Sequence, residues 1–258
     1  MLLAVGSAAL ALTVIGSVIG VARAARATGE EAGDGTRVLA GDVSTVRVDA
    51  AIADLVVRLA DVAEPTVEWD AGATGLRLRS ELADGELDVR VRDRGWDPFG
   101  WWSGGYRGPA TLTVLLPADT AGVDLDLAAS AGSVRLDGDW GAVDVEAAVG
   151  EVRLAGSAVS LDLRTTAGST VGYGLEIAEL TVEATAGDVD LAFDRAPATV
   201  DAATTAGDLR IALPRGDYEL RTESTLGEVA SAIPSTPGAE RSYRLASTVG
   251  DIEILQAG

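Results

Sequence analysis

Five carboxylates recur at one place in a repeated motif. Glu151, Asp188, Asp208, Glu228 and Asp251 each follow a glycine, and the glycines return about every twenty residues. In a stacked fold such acids would form a ladder with about 4.8 Å between rungs. A ladder of that kind suits a divalent cation. Paired carboxylates roughly 5–9 Å apart also suit hydrolysis of a glycosidic bond. The plainer reading is a row of turn acids facing water. Three features favour it. The calcium β-roll nonapeptide is missing, and Ser133 and Ser169 interrupt the series. Carboxylates are also so abundant that proximity alone marks no site. We therefore expect no metal, no cofactor and no catalytic residues.

A second cluster is aromatic. The chain has 5 Trp, 4 Tyr and 2 Phe, and Trp96, Phe99, Trp101, Trp102 and Tyr106 all fall within RDRGWDPFGWWSGGYRG, residues 92–108. Three uses compete. The rings can pack as a local core. They can form a platform for a glycan or peptide, where Trp and Tyr are typical anchors. They can dip into a membrane interface. These five residues are the ligand-binding candidates.

Composition removes other chemistries. The chain has no Cys and no His, and all 20 basic residues are Arg. Thiolate and imidazole chemistry are excluded, as are Schiff-base and P-loop lysines. The formal net charge is −20. Two Arg precede Glu30, so the rest carries 18 Arg against 40 acids, a net −22. Nucleic acid and anionic lipid headgroups are repelled by such a body. A protein or glycan ligand remains open.

The elements that must hold these residues begin with an uncharged run. MLLAVGSAALALTVIGSVIGVA, residues 1–22, carries no charge. As a helix it would span about 33 Å, enough for a bilayer core. It reads as a transmembrane anchor or a signal, the latter with Ala22-Arg23-Ala24 as a cleavage site that would release a secreted body. Arg23 and Arg26 bias the orientation inward, but two Arg are a weak signal. Residues 23–41 read as a flexible acidic and Gly-rich linker.

The repeat occupies residues 119–258. Copies align on Gly132, Gly150, Gly168, Gly187, Gly207, Gly227 and Gly250, at spacings of 18, 18, 19, 20, 20 and 23. Apolar residues sit two and four places after the glycine, as in Val152/Leu154 and Ile252/Ile254. A second alternating run precedes it, as in Leu161/Leu163. Period-two patterning marks short strands with one buried face. Two strands and a small-residue corner per 18–20 residues indicate a parallel β-solenoid in an all-β chain. An antiparallel meander in a sandwich is the alternative. The copies at Gly168 and Gly227 are weaker, with Gly172 and Ser231 where a large apolar residue is expected.

The repeated TTAGDVDL-like and TTAGDLRI-like units, following an apolar segment and an irregular β region, resemble the adhesin-like DUF4097 family of bacterial envelope β-solenoid domains. The resemblance covers roughly residues 42–254, with Ala53 standing where the repeats have Gly. It implies an envelope-associated interaction domain, in some cases linked with stress signalling, and it supplies no catalytic residues.

Residues 42–118 have a different texture. Strand-like runs include STVRVDA, PTVEWDA and ATLTVLLP, and LRLRSELADGELDVRV reads as a hairpin turning at Asp84-Gly85. This half is expected to be an antiparallel cap carrying the aromatic loop, because an end coil otherwise exposes an open edge. At the other end, the insert SAIPSTPGAERS, residues 231–242, is expected to fold over the core; without it that end invites self-association. The expected function is a membrane-anchored, extracytoplasmic, non-enzymatic adhesin-like scaffold. An envelope-stress sensor and a polysaccharide-active enzyme are the alternatives.

Overall fold

The computed structural model describes residues 30–32, 34–71, 76–92, 110–120 and 122–257. The uncharged run 1–22 lies outside them. The described residues form nineteen strands in one continuous sheet. The first eight are β1 (Glu30–Ala32), β2 (Gly35–Val38), β3 (Thr45–Ala50), β4 (Asp54–Ala60), β5 (Thr66–Asp70), β6 (Arg77–Ala83), β7 (Glu86–Arg92) and β8 (Thr111–Pro117). There follow β9 (Val123–Ala129), β10 (Val134–Val149), β11 (Val152–Ala167), β12 (Thr170–Ala186), β13 (Val189–Phe193), β14 (Thr199–Ala206) and β15 (Leu209–Leu213). The last four are β16 (Glu219–Leu226), β17 (Val229–Ser231), β18 (Ser242–Val249) and β19 (Ile252–Gln256).

From β9 onward the strands stack in parallel, as the period predicts. β10 pairs with β11, and β11 with β12, with matching repeat positions aligned: Val134 on Val152, Leu136 on Leu154, Val145 on Leu163. Inner residues such as Val145, Leu163, Val182 and Ile254 are fully buried, and Arg135, Arg153 and Arg210 between inner positions face solvent. Alternation along each strand thus closes a two-faced core, burying apolar area without helices.

The expected antiparallel cap over 42–118 is corrected in part. β3 lies parallel between β7 and β9, and β4 parallel between β8 and β10. These four strands are solenoid coils. Their inner residues, Val46, Val48, Leu55, Val57, Leu87, Val89, Leu112 and Val114, alternate as in later coils and are buried. What they lack is the corner glycine, so glycine alignment places the start of the solenoid too late. The antiparallel part is smaller: β6 pairs with β7, β5 with β8, β1 with β6 and β2 with β5. The β6–β7 hairpin turns at Asp84 and Gly85 as expected, with φ of 53° and 80°. Both values match a two-residue turn needing positive φ.

Stacking order departs from chain order at both ends. β3 and β4 are inserted between the outer pair β7/β8 and the later β9/β10. At the far end, β18 sits between β14 and β16, and β19 between β15 and β17. The Gly227 copy therefore forms the outermost coil, and the later Gly250 copy lies inside it.

Candidate functional site

One edge of the solenoid gathers the repeated features. Each of the seven aligned glycines sits at a corner with φ between 130° and 157°. Six of them face another glycine across the stack. A Cβ on Gly150, for instance, would collide with the carbonyl oxygen of Gly132, and one on Gly250 with that of Gly207. Positive φ and close backbone approach both demand glycine here. Ala53 holds the matching place on β4's side and has no positive φ. Its outer neighbour is Ala110, whose carbonyl accepts the Asp54 N–H at 2.8 Å.

The two weaker copies have separate causes. A Cβ on Gly172 would meet the Leu175 side chain at 2.7 Å, and Leu175 is buried. Gly172 therefore makes room for a core leucine from its own strand. The Gly227 copy is polar because it is terminal: Val229, Ala230 and Ser231 are all exposed.

The corner acids do more than face water. Asp188 Oδ1 accepts the Asp208 N–H at 2.9 Å, Asp208 Oδ1 the Asp251 N–H at 2.9 Å, and Asp251 Oδ1 the Glu228 N–H at 2.7 Å. At the near end, Asp54 Oδ1 accepts both the N–H and the hydroxyl of Ser133, at 2.7 and 2.8 Å. Each carboxylate thus satisfies a donor of the next coil, and charge-assisted bonds of this kind are the stronger ones. Among the described residues no group of three or more acids is arranged to hold a metal ion. Asp188, Asp208, Glu228 and Asp251 instead line a groove of about 300 Å³ together with Asp190, Arg210 and Glu253.

A second acid row lies on the broad face before the corner. Asp126, Asp144 and Asp162 are stacked in register across three coils. Partial desolvation first, and then the Asp162 carboxylate, hold the Asp144 carboxyl above its usual range; Arg164 pulls the other way. Arg164 spans the row, 3.7 Å from Asp144 and 3.1 Å from Asp162.

Trp96, Phe99, Trp101, Trp102 and Tyr106 lie outside the described residues. The flanks of their segment are described. β7 ends at Arg92, where Val91 aligns with Ala50, and β8 begins at Thr111, aligned with Asp54. The segment therefore joins its strands where β3 and β4 turn through three residues, Ala51 to Ala53.

The opposite end holds a feature the sequence reading passed over. Tyr218 and Tyr243 are fully buried with ring centroids 5.1 Å apart. The Tyr218 hydroxyl donates to the Pro214 carbonyl at 2.6 Å and that of Tyr243 to the Pro197 carbonyl at 2.8 Å. Burial raises both hydroxyl pKa values. A local signal existed only for Tyr218, four residues after Pro214; Tyr243 lies on β18, 46 residues from Pro197, and its bond depends on the stacking order. The insert after β17 does fold over this end: Ile233 is buried, and the Ser235 hydroxyl accepts the Leu220 N–H at 3.0 Å and donates to its carbonyl at 3.2 Å.

The sequence profile of the family described as Toastrack DUF4097 matches residues 77–254. Among solved structures, the chain is similar to a candidate adhesin from Bacteroides fragilis at 12% identity and a TM-score of 0.48, over 89% of this chain and 99% of that one. It is also similar to a candidate lipid-binding protein from Parabacteroides distasonis at 14% identity and a TM-score of 0.46, over 88% of this chain and 97% of that one. No curated protein matches the chain.

Proposed function

The chain belongs to the Toastrack DUF4097 family, and from that premise we propose a non-enzymatic, adhesin-like binding scaffold of the bacterial cell envelope. Residues 1–22 hold it in the membrane, and the acidic body lies on the extracytoplasmic side. Trp96, Phe99, Trp101, Trp102 and Tyr106 supply the ligand surface, for a protein or a glycan. The observation that carries this reading is the position of their segment. It connects β7, which ends at Arg92, to β8, which begins at Thr111, and these strands form the outer coil beside β3 and β4, which are joined by only three residues. A rigid stack offers a fixed platform to a segment set in its end coil, and rigidity lowers the entropic cost of binding.

Binding of the chain to glycan and peptide arrays, compared with a Trp101→Ala/Trp102→Ala variant, tests this reading. Loss of a ligand by the variant at unchanged melting temperature supports it. Equal binding by both overturns it. Protease accessibility on intact cells tests the orientation, and protection that ends only on lysis would place the body inside.

A further inference from the structure

The corner carries a second surface, remote from the aromatic segment in chemistry and independent of it. Each corner residue donates its N–H to the residue preceding the corner of the next coil. Ala53 donates to Ala131, Gly132 to Val149, Gly150 to Ala167, and so on to Gly250, which donates to Leu226. These bonds string the pre-corner residues into one column of eight, starting at Ile52. Every member is apolar. Four are large and face solvent: Ile52 at 51%, Val149 at 56%, Val249 at 47% and Leu226 at 66% exposure. Alanines fill the places between. The β pattern buries most other large apolar side chains in these coils, so a column kept apolar in every coil while facing water is an exposed patch of the kind that marks an interaction site.

Charge complementarity selects the occupant. On one side of the column runs the acid row that includes Asp188, Asp208, Asp251 and Glu228; on the other runs an uncharged row that includes Thr185, Thr205, Thr248 and Thr225. Neither row contains an Arg. Eight coils at about 4.8 Å extend roughly 34 Å, the length of a helix of about 22 residues. We propose that this corner is a docking strip for a basic amphipathic helix of a partner protein, its apolar stripe on the column and its cations along the acid row. An anionic membrane is repelled by the same acids, and a second copy brings its own large negative charge. The Asp carboxylates keep Oδ2 for the partner while Oδ1 holds the next coil's N–H.

The test uses the full chain in neutral-lipid nanodiscs, with empty discs as the control, and a fluorescent 22-residue Leu/Lys amphipathic peptide read by anisotropy. We expect specific binding that weakens steeply with salt. A Val149→Ser/Leu226→Ser variant, altered only at exposed positions, should bind at least about tenfold more weakly. An Asp188→Asn/Asp208→Asn/Asp251→Asn variant should lose most of the salt dependence, because Asn keeps the Oδ1 acceptor and removes the charge. Three results overturn the proposal: equal binding of a scrambled peptide of the same composition, unchanged affinity of the Ser variant, or column-dependent self-association or vesicle binding in place of peptide binding.

Discussion

The two ends of the solenoid solve one problem in different ways. At the near end, β5 and β6 pair antiparallel with the outer coil strands, and β2 and β1 pair with them in turn. The near edge is covered by more sheet, with Trp69 buried in the covering strand β5. At the far end β16 pairs only with β18 among the described residues. There the chain covers the core with Ile233, caps one edge residue with Ser235, and places Thr222 and Ser231 opposite Leu245 and Ile254, at positions that are apolar in interior coils. A covered edge needs no polar residues, whereas an uncovered edge is protected by making it short and polar. Both ends share one device. The coil inside the outermost one comes from a different stretch of chain, so each end is locked by a return of the polypeptide.

That comparison can be broken in several ways. The largest effect is expected in the middle, which has no free edge. Gly168→Ala would drive a Cβ into the Gly150 carbonyl at a φ of 134°, costing about 3–5 kcal/mol in urea unfolding. Gly227→Ala makes the same collision with Gly250 but loosens only the last coil, so no more than about 2 kcal/mol is expected. Next comes Ile233→Ser, which opens the far end. We expect a loss of about 2–3 kcal/mol and concentration-dependent association in sedimentation. An unchanged monomer would show that the polar edge suffices alone. Ser235→Ala uncovers both backbone groups of Leu220 and should cost about 1 kcal/mol.

The smallest effect is electrostatic. Because the folded-state pKa of Asp144 is raised above its ordinary value of 3.8, its ionised form opposes folding. The chain gains stability as pH falls through the raised value toward 3.8, and carries the full penalty above it. Asp144→Asn should therefore stabilise the chain slightly at neutral pH, the effect being small because the exposed side chain is screened by solvent. The gain should vanish in acid, where both side chains are neutral.

Much of this fold is legible because each coil repeats one grammar. Inner pairs such as Val152/Leu154 and the corner glycines specify strands, faces and corners. The same uniformity hides stacking order, since one glycine corner accepts any other as its neighbour. Only the defects carry position. Thr222 and Ser231 mark the outermost coil, and the missing glycine at Ala53 marks the neighbour of an expanded corner. The first was visible as a weak copy, and its meaning required the pairing. The acid row was legible as a ladder, but its bonds to backbone N–H groups depend on register. The column from Ile52 to Leu226 was hidden because alanine and valine before a glycine look like packing.

The inserted last coil can be tested directly, since the chain has no cysteine of its own. In the stack described here Asp208 neighbours Asp251, and Asp251 neighbours Glu228. The Asp208→Cys/Asp251→Cys pair is then about one strand spacing apart, and the Asp208→Cys/Glu228→Cys pair about 10 Å. A disulfide closes only when the Cα atoms lie within about 7 Å. Mild oxidation should therefore cross-link the first pair and leave the second reduced. Cross-linking of 208 to 228 with 208 and 251 left free would show coils stacked in chain order and contradict the account.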